Sequence, residues 1–164
     1  MEQLMMLYWG LGIVAVILLG VGLFAIPLAA AWQRWDARRA IMLFHHRRES
    51  LEAKFFDLAT SLGKPRGLRW LNCEWFDNVT FARDKSSRLL TAFVGINVSF
   101  EAIEGGDMED VAAVGTIRDA VAVFHYHRGA WGTGGKALFN MNPQDALEKL
   151  AAQFEPVPGR VGRN

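Results

Sequence analysis

One cysteine, Cys73, is all the thiol this 164-residue chain carries. No intramolecular disulfide can therefore form, and a zinc site would have to be built mainly from histidines and carboxylates. A lone thiol suits a reducing compartment. Charge is missing from a long stretch: between Leu4 and Trp32 there is no Asp, Glu, Lys or Arg. Also missing is a positive segment ahead of that stretch, because Met1-Glu2-Gln3 precede it. That absence, with an apolar run well beyond the ~7–15 residues of a signal-peptide core, argues against cleavage at Ala29-Ala30-Ala31. A strong basic excess is absent from the distal part. Residues 67–164 hold 10 Lys/Arg against 12 Asp/Glu, which speaks against nucleic acid as a partner.

The uncharged run exceeds the roughly 20 apolar residues a helix needs to cross a bilayer core. In hydrocarbon each backbone amide must be paired within its own segment, so a helix is expected. Tyr8 and Trp9 at one end, with Trp32 and Trp35 at the other, fit interfacial aromatic belts. Orientation follows from the flanks. Arg34, Arg38, Arg39, Arg47 and Arg48 all follow the run, so the N-terminus is expected outside and the rest in the cytoplasm. These arginines, with Trp32 and Trp35, form the expected membrane-interface set, each arginine contributing about 1 kcal/mol toward anionic headgroups. The sequons Asn78-Val79-Thr80 and Asn97-Val98-Ser99 would matter only in a secretory lumen.

Residues 33–62 read as a helix continuing from the anchor. Ala37, Ile41, Phe44, Leu51, Phe55, Leu58 and Leu62 form a heptad-like stripe that Arg48 interrupts, and Gly63 and Pro65 stop it. The stripe either packs on the chain's own domain or zips two copies together. Ala15, Gly22 and Ala29, also seven apart, would let two anchors approach closely in a homodimer.

Beyond the neck the pattern turns to strands at 68–76, 78–83, 89–101, 120–128 and 136–141. Turns are expected at 84–87 and 129–135, an acidic loop at 104–110, and a bulge at Gly95. Asn142-Pro143 announces a helix carrying apolar residues from Ala146 to Phe154. The expected fold is α+β: a transmembrane anchor (1–33), an amphipathic neck (34–62), a small antiparallel meander with a C-terminal helix (63–157) and a tail (158–164).

Three patterns invite chemistry. Gly129 to Lys136 resembles a phosphate-binding loop, but the motif requires glycine where Ala130 stands and Ser or Thr where Ala137 stands. His125 and His127, one residue apart on an expected strand, share a face and make half of a metal site, with Phe124 and Tyr126 toward the core. His45-His46 beside Arg47-Arg48 could respond to pH near the membrane. No catalytic set, cofactor motif or complete metal site is read. The expected function is a non-enzymatic interaction or scaffold domain for an unidentified protein partner, tethered to the bilayer. The alternative is a small-molecule or enzymatic pocket on a concave sheet face lined by His125, His127, Trp70 or Trp75.

Overall fold

The β-branched and aromatic run Leu90–Ala102 forms the central strand of an antiparallel sheet in the computed structural model, which describes residues 8–9, 12–13, 31, 33–62, 68–105 and 118–158. The chain divides into two compact units, Met1–Arg38 and Arg39–Asn164. In the first, all described residues are helical, and Tyr8, Trp9, Ile13 and Trp35 are exposed. Among the described residues no helix is long and apolar enough to cross a membrane. The run 4–32 that carries the expected anchor lies outside the described residues, apart from Tyr8, Trp9, Gly12, Ile13 and Ala31.

The second unit is α+β. Helical residues 39–46 (α1) lead through Arg47 to α2 (Arg48–Leu62), followed by β1 (Leu68–Asp84), β2 (Leu90–Ala102) and β3 (Arg118–His127). After these come β4 (Ala130–Gly132), β5 (Ala137–Phe139), α3 (Pro143–Lys149) and β6 (Phe154–Pro156). The six strands run in the order β4-β3-β2-β1-β6, with β5 also on β3. The expected meander is present as β1-β2-β3.

Three local expectations are corrected. The pieces 68–76 and 78–83 are one 17-residue strand, whose register against β2 shifts between Trp70 and Asn72 and again between Trp75 and Val79. The irregularity expected at Gly95 therefore lies across from it in β1. A Cβ at Gly95 would run into the end of the exposed Asn78 side chain, which would have to turn aside. The segment 129–135 is no simple hairpin loop. Arg128 and Gly129, at φ 50° and 83°, supply the positive-φ pair that a tight two-residue hairpin needs. β4 then returns along His125–His127, and β5 pairs further along the same edge with Ala120–Ala122.

The C-terminal helix is also shorter than expected. Asn142 accepts from Gln144 and Asp145 N–H in a capping box with Pro143 behind it, but the helix ends at Lys149. Phe154 instead enters β6, opposite Asp84. The neck is helical over 33–62 apart from a single residue, Arg47. Helical hydrogen bonds span that residue, from Arg47 N–H to the Leu43 carbonyl and from Leu51 N–H to the Arg47 carbonyl.

Both faces of the sheet are covered, which explains why β2 is buried almost continuously from Leu90 to Val98 rather than at alternate positions. One face carries Trp70, Trp75, Phe81 and Phe124 against Phe44 of α1 and Phe55 of α2. The other carries Ala82, Phe93, Val121 and Val123, closed by Ala146 and Leu147 of α3 and by Phe154. Along the neck, Ile41, Phe44, Leu51 and Phe55 are buried, while Leu62 at the stripe's end is 75% exposed and Ala59 takes the inward place. The middle of the stripe is thus spent on the chain's own sheet.

Candidate functional site

Two regions carry side chains that could meet something outside the fold: the basic helical segment after residue 33 and the β3–β4 hairpin. In the first unit Arg34, Trp35 and Arg38 are exposed, and in the second so are Arg39, Met42, His45, His46 and Arg47. Trp32 lies outside the described residues. Arg48, expected among the membrane-facing arginines, is half-buried and committed inside the domain. Its Nε pairs with Glu52 at 2.6 Å, one terminal nitrogen reaches Asp77 at 3.1 Å, and the other donates to the Phe76 carbonyl. Phe76 and Asp77 lie in the register shift of β1, where no β2 partner faces them. The guanidinium supplies the partner that the ladder does not, so the residue that interrupts the apolar stripe is the one that pins α2 to β1.

His45 packs edge-on against Phe44 and Phe81 at ring-centroid distances of 5.9 and 6.0 Å. Partial burial lowers its pKa, and the Arg48 charge lowers it further. Trp131 of β4 is buried on the same side of the sheet as Phe44, and its indole N–H donates to the Ala40 carbonyl at 2.7 Å. That bond ties the hairpin to α1. Sequence spacing does not reveal it, since the partners stand far apart in the chain and one is a backbone atom.

On the opposite face His125 and His127 stand side by side and exposed, as their spacing implies, with Phe124 buried and Tyr126 half-buried behind them. With Ala130, Trp131, Gly132 and Thr133 they line a shallow depression of about 320 Å³. Its floor is low because Gly132 and Ala130 are the residues paired across from His125 and His127. His125 Nδ1 lies 3.1 Å from Oγ1 of Thr91, its cross-strand partner, which is fully buried. The imidazole pKa is lowered, first by partial burial and then by Lys136, against an opposing pull from Asp84. Thr133 is occupied elsewhere, donating to the Val123 carbonyl and accepting from Gly135 N–H. Among the described residues no group of three or more His, Cys, Asp or Glu could hold a metal ion.

Trp70 and Trp75, expected beside the histidines, lie on the other face against Phe55, so the four do not line one cleft. Cys73 is half-buried under α2, where burial and then the Glu52 carboxylate push its thiol up to about 12. The nucleophile is the thiolate. At pH 8 alkylation of Cys73 is therefore expected to be slow in the folded chain and rapid after denaturation, as followed by mass spectrometry. Equal rates in the two states would contradict its burial. Glu101, near the end of β2, pairs with Arg69 at 2.5 Å, whereas Asp107, Glu109 and Asp110 of the acidic loop lie outside the described residues. In the second sequon the Asn97 Oδ1 is enclosed within the sheet without a hydrogen-bond partner among the described residues.

Comparison with known protein families, with curated proteins and with solved structures finds no match for this chain.

Proposed function

We propose that this chain is a single-pass membrane protein that holds a non-enzymatic interaction domain against the cytoplasmic face of the membrane. The observation that carries this reading is the uncharged run from Leu4 to Trp32 followed at once by Arg34, Arg38 and Arg39, all exposed. In the domain itself both sheet faces are covered by the chain's own helices, α1 and α2 on one side and α3 on the other. That arrangement suits a module that presents a surface to a protein partner. Self-association, in this reading, belongs to Ala15, Gly22 and Ala29 of the anchor, because Ile41, Phe44, Leu51 and Phe55 of the neck are already buried.

Epitope tags at the two ends test the topology in intact cells. The N-terminal tag is expected to be digested by external protease and the C-terminal tag only after permeabilisation, with the chain staying in the pellet after alkaline carbonate. Release by carbonate, or a C-terminal tag cleaved from outside, would overturn the reading. A second reading, a small-molecule site, has one observation in its favour: the depression beside His125 and His127.

A further inference from the structure

We propose that His125 and His127 form a two-histidine chelate for a borderline divalent metal ion such as Zn²⁺, Ni²⁺ or Cu²⁺, with Thr91 as the residue that positions the first ligand. The proposal is independent of the anchor. Alternate residues of a strand stand about 6.6 Å apart on one face, which lets two imidazoles converge on one ion at bonds of roughly 2.0–2.1 Å. Both rings border the same depression, and a Cβ at Gly132 would meet nothing within 4 Å, so the space over the hairpin is open to an ion and its waters.

The contact behind the ring is the second observation. A histidine that binds metal through Nε2 needs its proton on Nδ1 and an acceptor for it. The Thr91 hydroxyl stands 3.1 Å from that nitrogen and is held in the sheet with no exposure of its own. With Nδ1–H donated to Thr91, the Nε2 lone pair points away from the sheet. Paired imidazoles select borderline transition metals, whereas calcium and magnesium require oxygen ligands. With Thr133 occupied and no carboxylate grouped with the pair among the described residues, the remaining positions fall to water or to a donor from another molecule.

The test uses the full chain in detergent micelles without a histidine tag, titrated with Zn²⁺ or Ni²⁺ against a chromophoric chelator. One ion per chain is expected. His125→Ala and His127→Ala should each weaken binding by at least about tenfold, and Thr91→Val by about tenfold, the range for loss of a supporting hydrogen bond. Thr91→Ser, which keeps the hydroxyl, should restore affinity and so separates positioning from misfolding. Replacement of His45 and His46 by alanine should leave the titration unchanged. No saturable binding, or binding that survives loss of both His125 and His127, would overturn the site. Unchanged affinity in Thr91→Val would overturn the role given to Thr91.

Discussion

Phe44→Ala is expected to destabilise the domain by about 3–5 kcal/mol, the usual cost of removing a buried aromatic ring. Phe44 is 1% exposed and stands edge-on to three rings of the sheet, with centroids 5.6 Å from Phe81, 5.6 Å from Phe124 and 5.0 Å from Trp131. Those neighbours come from β1, β3 and β4, so one side chain on α1 touches three strands. The void left by truncation has little chance to close, because Trp131 is fixed by its bond to the Ala40 carbonyl and Phe124 is wedged between Phe44 and Phe55. Small domains are stable by only about 5–15 kcal/mol, so much of the folded population should be lost. Denaturant unfolding of the micelle-bound chain, followed by tryptophan fluorescence, measures the loss. If Phe44 belonged instead to a seam between two copies, unfolding of the unsubstituted chain would already depend on protein concentration, and so would the loss. A loss independent of concentration is expected. A loss below about 1 kcal/mol would mean that α1 does not seat on the sheet as described.

The elements most legible in the sequence are those with a single dominant signal. The β-branched and aromatic run 89–101 reads as a strand, and Asn142-Pro143 marks the start of α3 because capping is a local property of a few side chains. The shared face of His125 and His127 follows from strand periodicity alone. Less legible is anything decided by a distant partner. Phe154 continues the helical pattern of Ala146 and Leu147, yet it leaves the helix because β1 offers it an edge at Asp84 and a ring at Phe93, 5.2 Å away. Arg48 looks like one more juxtamembrane arginine until the bulge in β1 supplies carbonyl and carboxylate partners 28 and 29 residues on. Thr91 carries no motif, and its place behind His125 exists only through the β2–β3 register. The heptad-like spacing of the neck is real, but spacing cannot distinguish a second helix from a sheet as the surface that buries it.

The glycines between 129 and 136 illustrate the same division, and they make the sharpest mutational series. Gly135→Ala should cost about 2–5 kcal/mol, combining the ~1–2 kcal/mol penalty of a left-handed backbone with the ~1–3 kcal/mol of overpacking. Gly135 has φ +71°, and an added Cβ would fall 2.7 Å from the Ala59 nitrogen and 2.8 Å from the Leu58 carbonyl carbon. Those are backbone atoms of α2, so no rotamer change can relieve the clash, and the loop or the helix must move. Gly129 differs: its φ is +83° but nothing lies within 4 Å of its Cβ position, so Gly129→Ala should cost only the backbone penalty of about 1–2 kcal/mol. Gly134 has neither constraint, and Gly134→Ala should be close to neutral. Unfolding midpoints for the three variants should therefore rank 134 above 129 above 135. A phosphate-cradling loop would couple the three glycines through ligand affinity rather than through this order of stability. If Gly135→Ala proved as benign as Gly134→Ala, α2 would not lie against the β4–β5 loop. The docking of the neck on its own sheet, on which the burial of its seam depends, would then have to be redrawn.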